Sequence, residues 1–401
     1  MLCRRTRQKG DVRYGMKTAN LEVRQKIHST FLPFGAVKMK KLSLSAGLAG
    51  LLLSASCIAD SDIIIDSTSQ ACRSLTPAAI GGPTPPSSIL SLRWLGTTNF
   101  ELVYRNQVIL LDTYYDRGPR NRSIGFSPNQ VTRANAIYIG HGHFDHMSDA
   151  VTVASQTGAP LIGAPTAVDA AIRMGMPAAK GVPVTGRGGE ILQYNGFTVE
   201  PILAQHSTLS PTVLGAFQAA ITATIGAPTP EESAAEAAVL ARGTSDPRVI
   251  TEGTIAYLFT FDNGFRLMYR NSSGPITEFE RAAMARIGGM TDVAIVAYIG
   301  QYVAARQIAS TLPIVQLYNP KLYLPSHHDE IAGTFLDIGT EPMFMAIRDT
   351  MPNTRSLSPL YREPVCINVQ RNPRSNIRQD LRELRDDLRD LNLRDFRSIF
   401  R

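Results

Sequence analysis

Ala136-Ile137-Tyr138-Ile139-Gly140-His141-Gly142-His143-Phe144-Asp145-His146 is the stretch on which the reading of this chain turns. The apolar run at its start predicts a buried strand. Four side chains able to bind a metal then fall within six residues of the strand's end, on a rigid platform from which they can converge. His-x-His places two imidazoles on one side of an extended segment, where both can grip one ion. Asp145 and His146 follow one turn later and point to a neighbouring position, so the spacing suits two adjacent metals. Imidazole and carboxylate favour zinc, with manganese or iron(II) as alternatives.

Outward from this motif, the chain's other histidines are few. There are seven in all, and His206, in Ala204-Gln205-His206-Ser207, stands alone. His327 and His328 lie in Pro325-Ser326-His327-His328-Asp329, and His28 lies far upstream. An isolated histidine is more often a core or surface residue than a ligand; a dense cluster with two downstream partners is not read that way.

The motif resembles the His-x-His-x-Asp-His signature of the metallo-β-lactamase superfamily. The likeness extends over about residues 90 to 335. Trp94-Leu95-Gly96 with Phe100 resembles the first strand of the branch holding ascorbate-6-phosphate lactonases, small metal-dependent hydrolases and N-acylphosphatidylethanolamine phospholipase D. Val108 to Asp112 resembles the strand that ends in a supporting aspartate. Gly188-Gly189, Phe197-Thr198-Val199, Asp292 to Gly300 and Leu324-Pro325-Ser326-His327 resemble later blocks in the family order. The resemblance implies a four-layer αββα sandwich, here with an inserted helical segment. It implies that His141, His143 and His206 hold a first metal and that Asp145, His146 and His327 hold a second. His327 fits the closing motif better than His328, which would serve beside the centre or in the substrate cleft.

One departure is serious. The family carries Gly-Asp-Thr after a strand, and that aspartate bridges both metals. Here Phe265 to Tyr269 runs into Arg270-Asn271-Ser272-Ser273-Gly274, with Ser272 at the aspartate's place. A serine hydroxyl is a far poorer ligand for a hard dication than a carboxylate. The outcomes are one metal at the three-histidine set, a looser pair, or a protein depleted of metal. Asp329 is the nearby carboxylate that would compensate. Thr97, where many relatives have histidine, is a smaller departure.

The implied chemistry is hydrolysis of an ester, lactone or phosphodiester by a metal-bound hydroxide, with one or two divalent ions, zinc foremost. His141, His143 and Asp145 would be the catalytic residues, Asp145 also orienting the nucleophile. No Gly-x-Ser-x-Gly elbow offers a serine alternative. The competing reading is a catalytically reduced metal-binding or scaffold protein on the same fold, motivated by Ser272.

The formal charge of +7 does not indicate nucleic acid. Residues 1–57 hold 11 Lys and Arg against 2 Asp and Glu, which leaves 30 against 32 for the rest. The excess lies in a leader, and the remainder is slightly acidic. Residues 1–38 read as a start assigned too far upstream. Met39-Lys40-Lys41 and the apolar run from Leu42 to Ser56 predict a signal peptide over 39–59, too short for a comfortable membrane span. Ser54-Ala55-Ser56-Cys57 resembles a lipoprotein processing site, against ordinary cleavage after Ala59. Either route exports the chain, to the periplasm or to a lipid anchor at Cys57 in the bacterial envelope. The partner expected is a small or lipid-like substrate; the C-terminal helix is expected to pack on its own domain, with a second copy of the chain as the alternative.

Residues 60–88, rich in Ser, Thr, Pro and Gly, predict a tether to a domain over 89–370. Of four cysteines, Cys72 and Cys366 remain after export, and a disulfide between them is expected. Residues 371–401 predict a charged helix, with Ile377, Leu381, Leu384, Leu388 and Leu391 along one seam. Within the domain, Asn195-Gly196 between apolar runs predicts a hairpin. An insert at about 208–252 holds the apolar run Val213 to Ile225, then a helix opened by Thr229-Pro230-Glu231-Glu232. Leaving directly from His206, it reads either as a lid over an apolar substrate pocket or as an ordinary helix pair on the core.

Overall fold

The structure, a computed structural model, describes residues 63, 65–208, 210–298, 304–329 and 339–371. Six strands build a first sheet: β1 (Ile89–Trp94), β2 (Phe100–Tyr104), β3 (Gln107–Leu111), β4 (Ala136–Tyr138), β5 (Leu161–Gly163) and β6 (Gly181–Pro183). Seven build a second: β7 (Leu192–Tyr194), β8 (Phe197–Ala204), β9 (Thr254–Phe261), β10 (Arg266–Arg270), β11 (Thr291–Ala297), β12 (Pro320–Ser326) and β13 (Arg355–Ser356). β14 (Pro364–Asn368) then returns to the first sheet beside β1. The orders are β14-β1-β2-β3-β4-β5-β6 and β13-β12-β11-β10-β9-β8-β7.

Both sheets are mixed. β14, β1, β2 and β3 pair antiparallel, and β3 to β6 pair parallel. β7 to β10 pair antiparallel, and β10 to β13 pair parallel. The Asn195-Gly196 turn is the expected hairpin, with Tyr194 opposite Phe197 and Gly196 at φ 95°. Only glycine takes that backbone without steric cost.

The alternation of side chains along each strand makes four layers. Phe100, Leu102, Tyr104, Ile109 and Leu111 face Phe197, Val199, Tyr257 and Phe259 in a core between the sheets. Val103, Val108 and Leu110 point the other way, against residues of the helices Ala150–Thr157 and Pro165–Arg173. Ala256, Leu258, Met268, Ala294 and Val296 likewise meet the helices Glu278–Arg286, Ala304–Tyr318 and Glu341–Thr350. Strands covered on both faces read as continuous apolar runs, which is why β4 and β11 were visible as such. Each fully buried Leu, Ile or Phe contributes about 1.5–3 kcal/mol to holding the layers together. The architecture is an αββα sandwich, consistent with the metallo-β-lactamase fold.

The tether expectation fails for residues 65–88. Ile65 bridges to Ile367, and Cys72 is disulfide-bonded to Cys366 with Cα atoms 5.8 Å apart. Arg93 and Glu101 form a buried ion pair at 3.3 Å on β1 and β2. Glu101 accepts the Ala78 and Ala79 amides at 3.0 and 2.6 Å, and Arg93 donates to the carbonyls of Ala71 and Ser74. A buried pair is tolerated only when its remaining hydrogen-bonding capacity is met, and this segment meets it. A loop-forming composition cannot distinguish a free linker from a packed one.

The insert holds the helices Pro211–Ile225, Pro230–Leu240 and Arg248–Thr251. Thr229 caps the second as expected, its hydroxyl accepting the Glu232 amide at 3.1 Å while Glu232 accepts the Thr229 amide at 2.9 Å. Among the described residues, no helix is long and apolar enough to cross a membrane. The leader, Cys57 and the seam from Ile377 to Leu391 lie outside the described residues.

Candidate metal centre

Five strands end at one corner, and each delivers a polar residue to it. β3 leads to Asp112, β4 to His141, β8 to His206, β10 to Asn271 and Ser272, and β12 to His327. His143 precedes the one-turn helix Phe144–Met147, which carries Asp145 and His146. Asp112 and His327 both take left-handed backbone, at φ 57° and 63°. That turn, costly outside glycine, swings each side chain off its strand's course.

All six residues expected as ligands meet here. The nitrogens of His141, His143 and His206 form one set whose donor atoms lie within 4.8 Å of one another. His141, Asp145 and His146 form a second such set. His141 Nε2 and His206 Nε2 are 3.1 Å apart. His327 joins through Asp145, whose Oδ2 lies 3.2 Å from His327 Nε2 and 3.1 Å from His146 Nε2. The second set therefore centres on Asp145 and His146, with His141 and His327 on either side.

The outer nitrogens are anchored. His146 Nδ1 lies 2.7 Å from Asp112 Oδ2 and 2.7 Å from Thr98 Oγ1. His206 Nδ1 contacts the Ser207 carbonyl. His141 Nδ1 lies 3.1 Å from Asn271 Oδ1. Such contacts fix the tautomer and aim the other nitrogen inward. His146 Nε2 is buried and faces Asp145 Oδ2 at 3.1 Å. An imidazole nitrogen set against a carboxylate and other imidazoles is the kind of donor set a divalent cation needs.

Protonation states agree with that role. Burial, then the neighbouring imidazoles, holds His141 well below its ordinary value and His206 at about 4. Burial also lowers His143. Metal ligation needs neutral imidazole, and these three are neutral at pH 7. Burial opposes charge on His146 as well, but the Asp145 and Asp112 carboxylates outweigh it and raise His146 to about 10. A cation placed beside Asp145 would take over the proton's part.

Ser272 is engaged at the edge of the corner, with the loop that follows His206. It is buried, and its hydroxyl accepts the Ser207 amide at 2.9 Å. Asp329 does not compensate. Its carboxylate takes the Arg117 guanidinium at 2.6 Å, the Thr97 amide at 2.7 Å and the Tyr361 hydroxyl. His328 stacks on Trp94, ring centroids 4.5 Å apart, and contacts Ser358 Oγ at 3.2 Å. That contact leaves His327 as the closing histidine.

The insert is not one unit. Its far end is part of the corner's wall: Thr244 N donates to Gly142 O at 2.7 Å, and His206 N donates to Ile250 O at 3.1 Å. Arg242 pairs with buried Asp149 and with Asp116, each at 2.9 Å. The helix Pro211–Ile225 is different. It carries no charged residue, and most of its described side chains are exposed or half-exposed.

Thr98 and Asn271 were not foreseen. Asn271 had one available signal: it directly follows a strand whose end already held a suspect residue, Ser272.

No family model matches the chain. Curated relatives called UPF0173 metal-dependent hydrolases are similar over part of it. The protein of Brucella ovis is 31% identical over 131 residues, 32% of this chain and 53% of its own length. That of Pyrobaculum neutrophilum is 32% identical over 120 residues, 29% and 51% respectively. Among solved structures, Igni18, a metallo hydrolase from Ignicoccus hospitalis, is 14% identical with a TM-score of 0.48, covering 70% of this chain and 98% of that one. The metallo-β-lactamase fold protein YhfI from Bacillus subtilis is 13% identical with a TM-score of 0.41, covering 67% and 95%. The chain spans about half the length of the curated relatives it matches.

Proposed function

We propose that this chain is a metal-dependent hydrolase of the bacterial envelope, acting on an ester, lactone or phosphodiester with an apolar part. The observation that carries the reading is the convergence of His141, His143, His206, Asp145 and His146, with the outer nitrogens of His141, His146 and His206 anchored. The partial likeness to proteins named metal-dependent hydrolases supports it. A divalent ion bound there supplies Lewis acidity and acidifies a coordinated water. His141, His143 and His206 would hold it, and Asp145, His146 and His327 would hold a second. The Asp145 side chain is 12% exposed, so its carboxylate can orient the attacking water and accept its proton. Water adds to the carbonyl carbon or phosphorus, the bond to the leaving oxygen breaks, and that oxygen takes the proton.

The uncharged helix Pro211–Ile225 starts five residues beyond His206 and suits an apolar group near the corner. The implied branch, with its lactonases and phospholipase, is in keeping with this. Envelope location rests on the leader alone.

A second reading is favoured by one observation: Ser272, with its hydroxyl on the Ser207 amide, stands where the resemblance implies a bridging carboxylate. A catalytically reduced metal-binding protein would look the same. Turnover of generic ester, lactone and phosphodiester probes separates them, and metal content per chain, measured by elemental mass spectrometry on protein purified without chelators or a histidine tag, tests the metal centre that both require. Two equivalents support a dinuclear centre and one a mononuclear centre at the three-histidine set. None, after reconstitution with zinc, manganese and iron(II), overturns the reading. Hydrolysis of generic ester, lactone and phosphodiester probes should vanish in His141→Ala.

A further inference from the structure

Asn271 stands where the family pattern has the glycine of Gly-Asp-Thr, beside the missing carboxylate. Its side chain is buried in the corner with every polar atom engaged. Nδ2 donates to Asp112 Oδ2 at 2.8 Å, and Oδ1 lies 3.1 Å from His141 Nδ1. The room for it is made elsewhere in the chain. A Cβ on Gly140 would come within 2.1–2.4 Å of the Asn271 amide, so the bare backbone just before His141 is what admits it.

The amide's orientation follows from its partners. A carboxylate only accepts, so Asn271 must turn its NH2 to Asp112. Its carbonyl oxygen is then left facing His141 Nδ1, which must carry the proton. His141 Nε2 is left with a free lone pair, directed at His206 Nε2 3.1 Å away. The same Asp112 oxygen accepts from His146 Nδ1 at 2.7 Å and so turns His146 Nε2 toward Asp145, 3.1 Å away. One neutral side chain therefore connects the outer nitrogen of a first-set histidine to the carboxylate behind a second-set histidine.

We propose that Asn271 is a positioning residue for the metal centre: it fixes the Nδ1–H tautomer of His141 and holds Asp112 on His146. In this way it couples the two donor sets from behind, next to the position where the resemblance implies a bridging carboxylate. The proposal rests on reading the corner as a metal centre, and its test keeps the two apart.

The full chain is compared with Asn271→Ala and with near-isosteric Asn271→Asp, which keeps an acceptor for His141 but sets a second carboxylate against Asp112. Zinc alone is titrated against a chromogenic chelator. Long-range proton–nitrogen spectra of the metal-free chain report the His141 tautomer, which a merely structural residue would not alter. We expect zinc binding weakened about 10–100-fold in Asn271→Ala, and a His141 tautomer shifted from Nδ1–H to a mixture. Asn271→Asp should retain the Nδ1–H tautomer yet still bind zinc at least tenfold more weakly. Zinc affinity within twofold of the parent, or an unchanged tautomer in Asn271→Ala, overturns the proposal. A parent chain that takes up no zinc overturns the reading of the corner itself, whatever the tautomer shows.

Discussion

Asp112 and Asp329 are both buried, both lie just past a strand end, and both are reached by one of two adjacent threonines. Thr98 donates its hydroxyl to Asp112 at 2.5 Å, and Thr97 donates its amide to Asp329 at 2.7 Å. Their other partners differ. Asp112 receives the Gly140 amide, the Asn271 side chain and the His146 imidazole. Asp329 receives the Arg117 guanidinium and the Tyr361 hydroxyl. A carboxylate's neighbours decide whether its charge is spent or passed on. Arg117 neutralises Asp329 on the spot, and burial, which opposes that charge, is outweighed so that Asp329 stays below the usual carboxylate range. Asp112 instead acts through an imidazole whose far nitrogen faces the corner.

The largest effect is expected for Asp112→Ala. It strands a buried imidazole, an amide N–H, a hydroxyl and a carboxamide at once. Loss of about 3–5 kcal/mol in urea unfolding of the metal-free chain is expected. A 10–100-fold loss of zinc affinity should accompany it. A variant of parental stability would mean these donors find other acceptors.

Asp329→Asn should cost about 3 kcal/mol, because Arg117 is left buried without its carboxylate. Here zinc affinity should stay within a few-fold of the parent. If zinc binding falls as far as in Asp112→Ala, the distinction between the two aspartates is wrong. Tyr361→Phe probes the same network more gently. Removing one hydroxyl from a carboxylate should cost about 1.5–3 kcal/mol and leave metal content unchanged. Elemental mass spectrometry alongside a denaturation curve checks both variants.

The histidine side of this comparison was legible in the sequence, and the arginine side was not. Imidazoles are rare in this chain and fall in the order the resemblance implied, so His141, His143, His146, His206 and His327 could be picked out singly. Asn195-Gly196 and the Thr229 capping box were legible because their information is local. Arg117 and Asp329 are 212 positions apart, and nothing in either neighbourhood announces the other. Asn271 depends on a bare backbone at Gly140, across the sandwich from β10. Residues 65–88 have the composition of a linker, yet Glu101 and Arg93 need their amides and carbonyls. Pairing of buried charge is a property of the assembled fold, and loop composition says nothing about it.

Ser272→Asp carries the smallest effect and places a third carboxylate in the comparison. Ser272 is buried at the end of β10, and its present partner is the Ser207 amide, a donor that an aspartate also satisfies. Arg270, its neighbour but one, already turns Nε to Glu280 at 3.1 Å and Nη2 to the Gly274 and Pro275 carbonyls, so its charge is largely spent before it meets the new carboxylate. An aspartate at 272 would therefore resemble Asp112 more than Asp329, with charge left for a cation. Binding of a second zinc should tighten about tenfold, or about 1.4 kcal/mol. The first zinc, the urea midpoint of the metal-free chain and the Asn271-dependent tautomer of His141 should barely move. Zinc titration followed by elemental analysis reads this directly. An unchanged second step would mean that position 272 does not face the gap between the donor sets, and that the serine's attachment to the His206 loop is its whole role.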